Sequence, residues 1–230
     1  MGRDGKDSRM KLMTQAGLKL LSGLAAMGLL LFLPAGTWHY PGAWRLLALL
    51  FIPMPVVGTV LYVKAPDLLR KRLNSRESEP EQKKVIGLSA LVFIAGFVLA
   101  GLDFRFGWTA LPLPAVAVGV VLFCTAYGLY LEVMRENAYL SRTVEIQKDQ
   151  KVIDTGLYGV VRHPMYAAVA LLFLSMPLVL GSGVAVIPFL FVPAILARRI
   201  RNEEQVLENG LPGYRAYKEK VKYRMIPLVW

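Results

Sequence analysis

Four apolar runs long enough to cross a bilayer constrain this chain before any single residue does: roughly Leu18 to Pro34, Trp44 to Val63, Val85 to Leu102 and Pro112 to Val133. About 20 apolar residues cover the ~30 Å of hydrocarbon in a membrane. No water reaches the backbone in that layer, so each run must satisfy its own hydrogen bonds as a helix. A fifth apolar region, Tyr166 to Ala197, is interrupted by Gly181-Ser182-Gly183. Glycine's freedom there suits a tight turn, which predicts a helical hairpin with arms of about 15 to 17 residues, or ~25 Å at 1.5 Å per residue. The expected fold is all-α. It is a polytopic transmembrane helix bundle of about six spans, with residues 1–133 supplying four and residues 134–230 holding a polar loop, the hairpin and a C-terminal interfacial helix.

Composition agrees with a membrane protein: 55% of the 230 residues are hydrophobic, 19% are charged and the mean hydropathy is +0.46. The net charge of +11 comes from basic residues interrupted by long uncharged runs, a pattern that argues against a nucleic-acid partner. One cysteine, Cys124, forms no internal disulfide, and two distant histidines make a poor metal site. The first run follows Arg3, Lys6, Arg9, Lys11 and Lys19, as in a signal peptide. Its long apolar core and the lack of a small-residue cleavage site favour a retained span.

Six spans put both termini on one side. With the N-terminal arm, residues 64–84, residues 134–163 and the C-terminal tail in the cytoplasm, 25 of the 27 basic residues lie inside and only Arg45 and Arg105 outside, as the positive-inside rule requires. Trp38, Tyr40, Trp44, Phe104, Phe106 and Trp108 then form an aromatic belt at the other face, with His39 among them. The stretch from Arg70 to Lys84, with Asn74, Ser75, Ser78 and Pro80, reads as a solvated connector. Pro53, Pro55, Pro112, Pro114, Pro177, Pro188 and Pro193 are expected to kink or bound helices.

Polar chemistry concentrates in the second region. Glu132, Arg135, Glu136 and Asn137 close the fourth run, and Thr143 to Gln147, Val152 to Tyr158 and Arg162-His163-Pro164-Met165-Tyr166 follow. Ionisable groups at a membrane boundary are costly unless paired, solvated or used. Pro164 fits the first turn of a helix, which places Arg162 and His163 at a helix N-terminus, where unpaired N–H groups and the helix dipole favour an anion. After the hairpin, Arg199 and Glu203 stand four apart, on one helix face. The bland alternative is a juxtamembrane helix answering anionic headgroups. A basic tail with Tyr214, Tyr217 and Tyr223 ends the chain, and reads equally as an interfacial amphipathic segment.

Taken in order, these elements resemble the isoprenylcysteine carboxyl methyltransferase family and its bacterial relatives. The resemblance rests on Gly156-Leu157-Tyr158, Arg162-His163-Pro164 with Tyr166, Glu203-Glu204 with Leu207, Gly213-Tyr214 with Tyr217, and Arg224 with Pro227, across about Asn137 to Trp230. It implies an integral-membrane methyltransferase using S-adenosylmethionine, with residues 134–230 as the catalytic region. By the resemblance, cofactor binding would fall to Gln147, Val152, Ile153, Tyr158, His163, Tyr166 and Glu203, and the substrate-facing, catalytic arginine would be Arg199; the helix N-terminus adds Arg162 to the cofactor-binding set. A zwitterion bearing a sulfonium needs an anion site for its carboxylate, acceptors for its ammonium and hydroxyls, and apolar or aromatic walls for adenine. Arg162, Glu203 and the tyrosines with Val152 and Ile153 are suited to those needs in turn. No glycine-rich turn of a Rossmann unit is present.

The implied partners are membrane lipids and a lipophilic or lipidated acceptor, possible acceptors being an isoprenylcysteine carboxylate, a phospholipid amine or a small thiol. The site and both termini are expected on the cytoplasmic face of a bacterial inner membrane. The rival enzyme is an NADPH-dependent membrane sterol-type reductase, which needs a denser cationic pocket for a 2′-phosphate. A scaffold or a small transporter is the rival outside enzymology; the spans carry almost no mid-membrane charge and no paired broken helices. The sequence leaves the oligomeric state open.

Overall fold

A computed structural model of the chain describes residues 3–74, 77 and 79–230, with side chains from Arg9 onward. Ser75 and Ser78 of the expected connector, and the side chains of Arg3 and Lys6, lie outside the described residues. The helices run in the order α1 (Arg3–Ala35), α2 (Pro41–Phe51), α3 (Pro53–Lys64), α4 (Pro66–Leu73), α5 (Pro80–Phe106), α6 (Leu113–Glu136), α7 (Pro164–Leu180), α8 (Val186–Phe189), α9 (Val192–Gly210) and α10 (Tyr214–Lys220). No strand occurs among the described residues.

Four segments are long and apolar enough to cross a membrane: Arg9–Ala35, Pro41–Lys64, Pro80–Phe106 and Leu113–Glu136. They coincide with the four apolar runs. Much of their surface faces outward; on α1, Leu18, Leu21, Leu29 and Leu33 are all exposed. An apolar surface of that extent is one that a bilayer covers. The second span is two helices joined at Ile52, because Pro53 lacks the N–H that would continue the ladder. Proline occupies one of the first two positions of α2 to α7 and of α9. There its missing donor costs nothing; of the seven expected kinks or boundaries, Pro53, Pro114 and Pro193 are helix starts and Pro112 is an N-cap. Pro177 sits inside α7.

The interior is centred on Leu31, Leu46, Phe97, Phe123, Met176 and Phe189. Phe93 meets Phe173 edge-on at 4.5 Å and Phe97 meets Phe189 at 5.6 Å, fixing α5 against the hairpin. Helix α6 packs along α7. Gly119 permits that approach, since a Cβ there would fall 2.5 Å from the Cβ of Leu178.

The hairpin differs from the expected pair of similar arms. Its first arm, α7, has 17 residues, and Gly181, with φ of 80° in the left-handed region, makes the turn. The returning arm is broken into the single turn of α8 and then α9, since Pro188 and Pro193 interrupt the ladder and the sequence becomes charged after Ala197. The polytopic helical bundle is as expected, with four full-length spans and α7 as a shorter apolar helix.

Polar groups tie the hairpin turn to its neighbours. Asp103, 1% exposed, accepts the Thr109 N–H at 2.7 Å, the Thr109 hydroxyl at 2.5 Å and the Ser182 hydroxyl. The Arg45 Nε donates to the Val179 carbonyl at 3.0 Å, placing a cation at the C-terminus of α7 where its dipole is negative. The expected aromatic belt gathers at this end, with Trp44 donating to the Trp38 carbonyl at 2.7 Å. Tyr40 departs from it: the ring is buried, stacks on Phe104 at 4.2 Å and donates its hydroxyl to the Leu180 carbonyl at 3.2 Å.

Candidate active site

The site is built at the opposite end, where α6 stops and the chain runs without regular helix to α7. Glu136 in the last turn of α6 accepts the Thr155 hydroxyl at 2.9 Å and the Leu157 N–H at 3.2 Å. Gly156 lies between them with φ of 48°, and a Cβ there would press into the Glu136 carboxylate. This fixes the 3-10 turn Gly156–Gly159 and sets Tyr158, whose hydroxyl accepts from the Asn137 amide at 2.8 Å. Burial pushes the Tyr158 phenol up to about 12 against the opposing pull of that hydrogen bond. The Tyr217 hydroxyl donates to the Tyr158 carbonyl at 2.7 Å, fastening α10 to the same turn.

The C-terminal tail comes back to the start of α7. The Arg162 and His163 N–H groups donate to the Tyr223 and Arg224 carbonyls at 2.9 and 2.7 Å. The Arg162 guanidinium donates through Nη1 to the Val221 and Lys222 carbonyls at 2.7 and 2.8 Å and through Nε to Glu204 Oε1 at 2.7 Å. His163 Nε2 lies 3.3 Å from the same oxygen, and Arg224 Nε reaches Glu204 Oε2 at 2.8 Å. Burial alone would raise the Glu204 pKa, but the hydrogen bonds from His163, Arg162 and Arg224 outweigh it and hold the group well below the usual carboxylate range. The anion at the head of α7 is thus the chain's own Glu204. The sequence suggests Arg162 as the partner of a ligand carboxylate; the structure commits its Nε and Nη1 to the protein.

Glu203, one helical step from Glu204, turns to different company. Its Oε2 accepts the Tyr166 hydroxyl at 2.5 Å, and that hydroxyl accepts Arg199 Nε at 2.8 Å. The expected i,i+4 pair on α9 is therefore bridged by a tyrosine of α7. Arg199 Nη2 continues to the Arg142 carbonyl at 2.7 Å.

Arg199, Tyr166 and Glu203 border a solvent-open cleft of about 100 Å³. Val152, Ile153, Val206, Leu207 and Leu211 supply apolar lining, while Tyr158, Arg162 and His163 also border it. Of the residues singled out from sequence, only Gln147 lies outside the lining: its side-chain N–H reaches the Tyr139 carbonyl at 2.7 Å. The sequence does not by itself mark Tyr214 as a ligand group. Its phenol is buried against the cleft, and the hydroxyl has no hydrogen-bond partner among the described residues. Burial, reinforced by the charges of Glu204 and Glu203, raises its pKa well above the ordinary value, so it stands as a neutral O–H donor. The Gly213-Tyr214 pairing was the available sequence signal. Asn137 and Met165 also line the cleft, and no sequence motif marks them.

Comparison with known proteins gives a match of residues 117–209 to the model of the isoprenylcysteine carboxyl methyltransferase (ICMT) family. No individual curated protein matches the chain. The matched segment runs from α6 into α9 and contains Tyr158, His163, Tyr166, Arg199, Glu203 and Glu204. The N-terminal spans and the tail that binds Arg162 lie outside it.

Proposed function

We propose that this chain, which carries an ICMT-family domain over residues 117–209, transfers the methyl group of S-adenosylmethionine to a lipophilic anionic acceptor at the cytoplasmic face of a membrane. The family match and the four spanning helices support a membrane methyltransferase. The finer reading is carried by one observation: Arg199, the Tyr166 hydroxyl and Glu203 stand in a hydrogen-bonded line on the wall of a cleft with apolar walls.

The residues present fit the methyl donor. Tyr214 offers an unpartnered buried hydroxyl, and Glu203 has a second oxygen that takes no hydrogen bond from a described residue, suited to an ammonium or ribose hydroxyl. Val152, Ile153, Val206 and Leu207 suit the adenine faces. When bound, S-adenosylmethionine supplies a methyl on a positively charged sulfur; the acceptor oxygen forms the new C–O bond while the S–C bond breaks and the sulfur keeps its electron pair as a neutral thioether. The chain then has three tasks. Arg199 orients the acceptor anion, Glu203 with Tyr166 holds the donor's polar end, and the apolar walls exclude water so that the two meet in line. A carboxylate acceptor carries its own negative charge and needs no base.

Titration of the detergent-purified full chain with S-adenosylhomocysteine and with NADPH tests this reading. Binding of the first, lost in Glu203→Ala with the thermal transition retained, is expected. Preferential NADPH binding replaces the proposal with a reductase.

A further inference from the structure

Arg72 is carried by α4, outside the segment that matches the family model. Its guanidinium turns inward. Nη1 donates to the Ser141 carbonyl at 3.2 Å and meets the Met165 sulfur at 3.8 Å, Nη2 donates to the Tyr130 hydroxyl, and the group lies 5.4 Å from the centre of the Tyr130 ring. Arg199 takes the next carbonyl along the same loop, that of Arg142. The two guanidinium groups are thus anchored to consecutive peptide units, beside the adjacent side chains Met165 and Tyr166.

Among the described residues no carboxylate lies within 4.0 Å of either group's nitrogens. The acids on this side have other partners: Glu203 accepts the Tyr166 hydroxyl, Glu145 accepts the Thr143 hydroxyl at 3.1 Å, and Glu77 accepts the Val144 N–H at 3.3 Å. Burial, with the charges of Arg142 and Arg199, brings Arg72 down to about 10. Burial opposes the charge on Arg199, but Tyr166, Glu203 and Glu77 outweigh it and raise its pKa, so the cation without an acidic partner among the described residues is Arg72, which is costly to bury; a guanidinium pair matches the two oxygens of a carboxylate. Val57 and Leu61 of α3 pack with Tyr130 and Leu131 of α6 around Leu68 and Met165. That packed apolar seam extends from the spans to Met165, which borders the cleft and meets the Arg72 guanidinium.

We propose that Arg72 and Arg199 form a clamp for the anionic headgroup of the acceptor, and that Arg72 is the residue that makes the site select a lipophilic carboxylate over its uncharged counterpart. The proposal rests on the methyltransferase reading for the identity of the ligand as acceptor; the clamp itself is testable by binding alone.

The probes are labelled N-acetyl-S-farnesylcysteine, its methyl ester and farnesyl phosphate, bound to the full chain in nanodiscs of neutral phosphatidylcholine with empty nanodiscs as background. S-adenosylhomocysteine binding is measured on the same samples. The native chain is expected to hold the carboxylate about ten-fold or more tighter than the ester. Arg72→Gln should remove most of that difference, Arg72→Lys should keep part of it, and neither should change S-adenosylhomocysteine affinity, which also certifies the fold. Equal affinity for carboxylate and ester in the native chain overturns the clamp, as does an Arg72→Gln loss shared by S-adenosylhomocysteine. Tighter binding of farnesyl phosphate than of the carboxylate overturns the stated selectivity. Failure of S-adenosylhomocysteine to bind the native chain overturns the methyltransferase reading and leaves the carboxylate-to-ester comparison to decide the clamp.

Discussion

The Arg162 guanidinium and the Glu204 carboxylate form an ion pair 2.7 Å long with 3% of each side chain exposed, although forty-two residues separate them in the chain. It joins the head of α7 to the middle of α9, the two elements that also carry Tyr166 and Glu203. The cleft's polar line is positioned by a charge pair one residue away from it on α9.

Removing one partner of a buried pair leaves the other charge uncompensated, at a cost of about 3–5 kcal/mol. Glu204→Gln should therefore lower the thermal transition of the detergent-purified protein sharply. Arg162→Met should cost at least as much, since it also strips the Val221 and Lys222 carbonyls of their donor. A Glu204→Gln protein that melts with the native chain would show that the pair contributes nothing to the fold.

The same carboxylate sets a pH dependence. Its folded pKa is depressed, so its contribution is fully present above the unfolded value near 4.5 and is lost as pH falls from there toward the folded value. Thermal scans from pH 7 to pH 3 should show the native chain losing stability below about pH 4.5, with a shallower slope in Glu204→Gln.

Tyr166→Phe deletes the hydroxyl that joins Arg199 to Glu203 while keeping the ring. A hydrogen bond to a charged group contributes about 1.5–3 kcal/mol, so a loss of at least about ten-fold in kcat/KM for methyl transfer is expected. Glu203 stays in the cleft, and S-adenosylhomocysteine affinity should fall less than turnover. Equal losses would place the phenol in the donor site alone.

Tyr214→Phe separates ligand binding from folding. The native hydroxyl is buried and unpartnered, and leaving such a donor unsatisfied costs about 1–3 kcal/mol. The variant should melt at or above the native temperature without ligand, yet bind S-adenosylhomocysteine more weakly. Unchanged affinity would remove Tyr214 from the proposed donor contacts.

The parts of this fold visible in the sequence are those set by local regularities. Hydropathy located the four spans, proline at the first turn located the start of α7, and the four-residue spacing of Arg199 and Glu203 placed both on one face of α9. The less visible parts depend on distant chain. Glu203 and Glu204 are chemically identical neighbours, and only the 100° turn between them, together with the returning tail, sends one to the cleft and the other to Arg162 and Arg224. Arg72 sat in a stretch whose charge and polarity read as solvated connector; its inward turn requires Tyr130 of α6 and the Ser141 carbonyl. Gln147 comes from a loop of variable length; its side-chain N–H donates to the Tyr139 carbonyl, while its Oε1 is buried with no partner among the described residues. The broken return of the hairpin was written in Pro188 and Pro193, but an uninterrupted hydropathy trace conceals a break in the helix ladder.

Because Arg162 and His163 are held by the carbonyls of residues 221 to 224, a ribosome must deliver some sixty further residues after making them before the head of α7 can close. The hairpin can insert early, but its arginine waits without a counter-charge until α9 arrives and without its carbonyl partners until the tail has folded under. Acquisition of a binding-competent cleft is thereby a late event in biogenesis, separable in time from membrane integration.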